Sequence, residues 1–366
     1  MTELTEGTER VTTAELLDVA QDQGVTARTL EYWRHEGLLP KAERTGQTGK
    51  RPEWTYPAEA IDQLATLLRL REKTRQPDTL RVALWFEGFP IDTGRVRASI
   101  AAALRDMLEL LTKEIDKRRD QDETSEDSTW AALEQVGRLL ARKRGQKTMP
   151  RYGRQKREDR DRAMTLMLGL VLGEDGASAR LEHDAPQVER MLGLHRGRRS
   201  RAGLPAMLTG PASEGLDAFA YIGSLPALIE TIETTTDEEL AASRALARVM
   251  LDGMTAFTRI ADAFAVTENA VGLGAIEVLR DEPTTAVCMT AFILAASRSS
   301  ALSENLRAVV DALREKILPV EERARELAAL PADDLHQQLP GLGTLPFIEQ
   351  VRLKRLIAEY RDERPQ

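Results

Sequence analysis

The stretch VTARTLEYWRHEGLLP, residues 25–40, decides how this chain of 366 residues is read. Thr26 stands where it can accept from the free N–H groups that open a helix, Leu30 and Trp33 fall three apart on one face, and Gly37 sits where a helix stops. Upstream, Thr12-Thr13-Ala14-Glu15 reads as a capping box opening a first helix with apolar positions Ala14, Leu17 and Ala20, and Gly24-Val25 makes the turn between the two. Two short helices joined by a glycine turn form a helix-turn-helix pattern. Any αα-hairpin produces the same pattern, so the residues downstream of it carry the decision.

Residues 41–56, KAERTGQTGKRPEWTY, are a basic segment with two glycines at its tip and aromatics on its return limb, which predicts a β-hairpin wing. Pro57 is then expected at the first turn of a helix carrying Ile61, Leu64, Leu67 and Leu68. In this order the chain resembles the MerR family of winged-helix transcription regulators. The residues that carry the likeness are Thr29, Leu30, Tyr32, Gly37, Leu38, Leu39 and Pro40, then Tyr56 with Glu59 and Ile61 after the wing. Two positions depart from the family pattern: Glu31 stands where an arginine is usual, and Trp33 replaces a second tyrosine.

The resemblance covers the first quarter of the chain and implies a reading helix in the major groove with the wing against the phosphate backbone. The candidate DNA-binding residues are Thr26, Arg28, Glu31, Tyr32 and Arg34 on the helix, and Arg44, Lys50, Arg51 and Tyr56 on the wing. Arg28 and Tyr32 are i, i+4 neighbours on one face, and Glu31 beside them needs a cytosine amino group or a neighbour such as Arg28 or Arg34 to offset its repulsion from phosphate. The resemblance also implies a homodimer on double-stranded DNA and a C-terminal region that senses a small-molecule or protein effector.

Charge agrees locally rather than globally. The formal net charge is −8, which argues against general nucleic-acid affinity, yet residues 25–81 hold eleven Lys/Arg against eight Asp/Glu. A single cysteine, Cys288, excludes an internal disulfide and a thiolate metal cage, and it reads as a small core side chain in a reducing, cytoplasmic setting. The longest apolar runs, 164–172 and 286–296, fall short of the ~20 residues that cross a bilayer, and the acidic start MTELTE is no signal peptide, so no membrane partner is expected.

Beyond residue 90 the aromatics thin out and the expected fold class is mainly α: an N-terminal winged helix-turn-helix domain with a short β-hairpin wing, followed by a large all-helical region. Three parts are expected: 1–90, the winged domain; 91–200, a helical linker and candidate dimerisation region with basic loops; and 201–366, a helical bundle for an effector or partner. In 94–119, Val96, Ile100, Ala103, Met107, Leu111 and Ile115 form one apolar stripe that suits either a dimer seam or an internal core. Residues 138–162 carry eleven Lys/Arg against three Asp/Glu, and a second basic cluster comes at 196–201; solvated loops explain both better than a second nucleic-acid contact or a surface for acidic partners does. Bundle helices are expected over 215–233, 237–265, 271–280, 285–297, 303–330 and 345–361.

Signs of catalysis are missing from the sequence. His35, His183, His195 and His336 lack partners at metal-ligand spacing, Ser178, Ser213 and Ser224 have no nucleophile-elbow context, and Gly341-Leu342-Gly343 between prolines is a turn rather than a phosphate cradle. The expectation is a non-enzymatic, cofactor-free, sequence-specific DNA-binding regulator. Its rivals are a helical scaffold or protein-interaction protein, or an excision-type DNA-architecture factor, that uses the winged domain for targeting.

Overall fold

The computed structural model describes residues 10–20, 24–48, 51–119, 128–143, 157–174, 223–264 and 282–329, with isolated positions between 176 and 183. Among the described residues it is mainly α, with one small antiparallel sheet near the N-terminus. The chain opens with strand β1 (Arg10–Thr12) and helix α1 (Thr13–Val19), whose N-cap Thr12 and N3 residue Glu15 form the expected reciprocal capping box. The side that α1 buries differs from expectation. Leu16 and Ala20 are buried completely while Ala14 is exposed and Leu17 half-buried, because β1 fixes the entry angle of the helix and turns the i, i+4 pair inward.

After α2 (Ala27–His35), strands β2 (Glu43–Thr48) and β3 (Arg51–Pro57) form the wing. The sheet has three strands rather than a bare hairpin, in the order β1-β3-β2, with Val11 opposite Tyr56. A three-residue strand has no periodicity to reveal it, and it forms because β3 has an edge to pair. Pro57 is the last residue of β3 and not the first turn of the next helix, which begins at Ala60.

Helices α3 (Ala60–Arg71), α4 (Pro77–Glu87) and α5 (Thr93–Arg119) come next. Pro77 opens α4 where no N–H is needed, and Gly88, at φ 111°, ends it in the left-handed region. Every residue of α4 from Thr79 to Phe86 is buried, packed among α3, α5 and, from far along the chain, α10 (Pro283–Arg298). A helix buried on all sides is the centre of a core rather than its margin. One continuous apolar cluster accordingly runs from Val11 in β1 through α4 and α5 to Val310.

The apolar stripe of α5 is an internal core over its first half. Val96, Ile100 and Leu104 are fully buried against α4 and against α8 (Leu225–Glu233). Further on, Ile115 joins a second small core with Leu133 and Val136 of α6 (Ser128–Lys143) and Leu168 of α7 (Arg157–Leu172). Between these two anchorages Leu110 is 70% exposed. Gly169 lets α6 and α7 approach closely, since a Cβ there would lie 2.6 Å from the Trp130 ring.

The C-terminal helices are α8, α9 (Asp237–Phe264), α10, α11 (Ser303–Ala312) and α12 (Leu318–Ala329). The single helix expected over 303–330 is interrupted by a π turn at Leu313–Ile317. Pro319 lacks an N–H and its ring excludes a normal bond to the preceding turn, so the backbone widens just upstream. The helices expected over 271–280 and 345–361, residues 144–156 of the basic stretch 138–162, and the basic cluster at 196–201 lie outside the described residues; the two ends of that stretch, 138–143 and 157–162, lie in α6 and α7. No described helix is long and apolar enough to cross a membrane.

The α8–α9 corner is fastened by charge. Glu239 accepts from the Thr236 N–H at 2.9 Å and from Arg298 Nη2 at 2.6 Å, while Arg298 also donates to the carbonyls of Thr231 and Thr234. The Arg298 hydrogen bond, then the Thr236 N–H, hold the Glu239 carboxyl at about 2 against an ordinary value of 4.5. A carboxylate with a lowered folded pKa contributes stability that is complete above its unfolded value and is lost as pH falls toward the folded one. Hydrogen-exchange protection in residues 231–240, corrected for the intrinsic pH dependence of amide exchange, should therefore fall as pH drops from about 4.5 to about 2, and Glu239→Gln should abolish that local pH dependence. An identical profile in the variant would assign the acid response elsewhere.

Candidate nucleic-acid interface

Helix α2 begins at Thr26, whose hydroxyl accepts from the Thr29 N–H at 3.2 Å. Leu30 and Trp33 face inward, 1% and 3% exposed, and the Arg71 guanidinium of α3 lies over the Trp33 ring, 4.7 Å from its centre. An indole is the strongest aromatic partner for such a cation, so the tryptophan that departs from the family pattern adds a fastening between α2 and α3. With that face committed to the core, Arg28, Glu31 and Tyr32 face outward.

Their interactions divide the outward face in two. Arg28 makes no hydrogen bond or ion pair with any described residue, and Tyr32 is 50% exposed. Glu31 pairs with Arg34 at 3.6 Å, which takes up the carboxylate without Arg28. Arg28 and Tyr32 thus lie together on the accessible surface, beside a charge pair that is close to neutral.

On the wing, Arg44 is exposed and sits opposite Trp54, which is 44% exposed. The ladder is irregular between Arg44 and Gly46, and such an irregularity re-aims side chains at a strand edge. Arg10 of β1 pairs with Glu43 of β2 across the intervening strand and braces the base of the sheet. Arg51 lies in β3 opposite Thr48; Lys50 and the side chain of Arg51 lie outside what the structure describes. Tyr56 does not join the outward group. It is 3% exposed and packed in the core, because its pairing with Val11 of the unforeseen strand β1 turns it inward.

The far end of α2 is held by side chains that periodicity does not single out. Arg81 of α4, 7% exposed, donates to the Glu36 carbonyl from Nε at 3.0 Å and from Nη2 at 2.7 Å, and pairs with the Glu36 carboxylate at 3.3 Å. Its Nη1 meets Asp78 at 2.7 Å and the Ser99 hydroxyl of α5, which in turn donates to Asp78 at 2.8 Å. Arg95 at the start of α5 donates to the His35 carbonyl at 3.0 Å, and the buried Gln63 amide donates to the Leu38 carbonyl at 2.9 Å. Cationic donors at a helix C-terminus satisfy its last carbonyls and oppose its dipole. Gly37 fits between them: its φ is 71°, and a Cβ there would fall 2.8 Å from Arg95 Nη1. The signal for Arg81 was present in the sequence as a charge inside the apolar run LRVALWF, since a buried charge demands partners.

Among the described residues no group of three His, Cys, Asp or Glu side chains is placed to hold a metal ion. Burial pushes the Cys288 thiol up from its ordinary pKa, away from the reactive thiolate.

The fold and the exposed helix define a winged helix-turn-helix module. Residues 16–84 match the family model described as MerR HTH family regulatory protein, and this N-terminal region is a MerR-type domain. At the level of that family it is a DNA-binding regulator's domain. No curated protein and no solved structure matches the chain.

Replacing Glu31 by Gln should release Arg34 and remove one negative charge from the surface that meets phosphates. The expected result is tighter binding to random duplex DNA, with a salt slope steeper by about one. An unchanged slope would place Arg34 away from the backbone.

Proposed function

We propose that this protein is a sequence-specific DNA-binding transcription regulator that acts as a homodimer, in the cytoplasm, and without catalytic activity of its own. The observation that carries the reading is the pairing of a MerR-type match over 16–84 with an outward helix face on which Arg28 has no partner among the described residues and Tyr32 is half-exposed. An arginine in that position can donate bidentately to guanine in the major groove, with Tyr32 one turn further along the same face. Arg44 and the Gly-rich tip of the wing supply phosphate contacts, which fix register and carry no sequence information themselves.

The helical region from α5 onward serves dimerisation and the reception of an effector, either an organic molecule or a protein. Leu110, exposed on α5 between two packed segments, is a natural place for a second copy to meet the first. The fit of α4 among helices from both ends of the chain gives an effector a physical route to the wing.

Selection of bound fragments from mixed genomic DNA by the full chain tests this reading. An enriched sequence with two-fold symmetry is the expected outcome, and no retention even at low salt would refute it in favour of a protein-interaction role. On the selected site Arg28→Ala should cost about 1–3 kcal/mol, with a much smaller loss on random DNA. Equal losses on both would make Arg28 a phosphate contact.

A further inference from the structure

The core-facing residues of α2, Leu30 and Trp33, fix which face is buried, and Arg71 over Trp33 fastens that face to α3; the direction of its C-terminal end is set by polar contacts. Arg81 engages the Glu36 carbonyl from two nitrogens and is simultaneously tied to Asp78 on its own helix and to Ser99 on α5. Arg95 grips the neighbouring His35 carbonyl from the first turn of the same α5. A planar guanidinium with all three nitrogens engaged fixes direction as well as distance, which an ammonium cannot do.

We propose that Arg81 is a positioning residue for DNA reading: with Arg95 and Ser99 it sets the pose of α2 in the groove from the α4–α5 frame. This rests on the DNA-binding reading above. Arg81 is buried on α4 and not part of α2's outward face, so it acts through Glu36 rather than by touching DNA.

The same frame extends to the other end of the chain. Arg97 and Arg105, on α5, pair with Asp237 and Glu233 at the α8–α9 corner. On the opposite end of α4, Arg244 of α9 donates to the Trp85 carbonyl at 3.0 Å and lies over the Trp85 ring at 5.0 Å. The helix bearing Arg81 is therefore itself held at its far end by the C-terminal helices, and the pose of α2 is set by the whole frame.

The test compares the full chain with Arg81→Lys, Ser99→Ala and Arg95→Ala, measuring affinity for a selected fragment and for random duplex, alongside hydrogen exchange in residues 27–39. Arg95 is exposed, so its variant keeps the experiment informative if the Arg81 variant fails to fold. A residue that positions the helix lowers the ratio of specific to random affinity, whereas simple loss of folded protein lowers both equally and leaves the ratio unchanged. The expected result is a ratio reduced about tenfold, the size of one charge-assisted hydrogen bond, with faster exchange at the C-terminal end of α2. If the wild type selects a sequence and the variants keep its full ratio, the positioning role is overturned and the regulator reading stands. If the wild type selects nothing, the regulator reading fails and the positioning role goes with it.

Discussion

A guanidinium buried to 7% exposure is the constraint around which the N-terminal half is arranged. Taking such a charge from water costs several kcal/mol unless its donors are met, so wherever Arg81 sits, acceptors must converge on it. They come from three directions: the end of α2, the first turn of α4 and the second turn of α5. Each of those elements contributes buried apolar residues to the same core, and the shared arginine ties them together by direction as well as by contact. Apolar burial supplies most of the stability of this core, and the polar node supplies its geometry.

The same division recurs at the other joints. Arg298 closes the α8–α9 corner, Arg244 holds the end of α4, and Arg71 covers Trp33. In each case an arginine reaches from one helix to the terminal carbonyls, a capping carboxylate or an aromatic face of another. Long amphipathic side chains suit this role because their stems add to the apolar contact while their heads satisfy helix ends. The chain is poor in aromatics, and these fastenings provide directionality that large rings would otherwise supply.

Burial of α4 on all sides ties the MerR-type module to the helices that follow it. Residues 16–84 match the family, yet α4, which ends that stretch, is covered partly by α5 and α10. A chain ended near residue 90 would leave Val82, Ala83, Trp85 and Phe86 without much of their cover, so the module and the helices after it share one core. The packing of the C-terminal helices is thus continuous with that of the N-terminal module, without a separate linker between α4 and α10.

The sequence alone determined what local rules govern: the capping box at Thr12 and Glu15, the N-cap at Thr26, the inward pair Leu30 and Trp33, the stop at Gly37 and the pairing of the two wing strands. These follow from backbone conformation and from periodicity within one element, so neighbouring residues suffice to read them. Tertiary structure decided the rest. Strand β1 exists because β3 offered an edge, and that pairing turned Tyr56 into the core. Glu31 took Arg34 rather than Arg28 as its partner, α1 buried Leu16 instead of Ala14, and the first half of the α5 stripe went to α4 and α8. An amphipathic face states that something must cover it, and a buried charge that something must meet it; which residue does so depends on elements far away in the chain, such as Arg244 against Trp85 at a separation of 159.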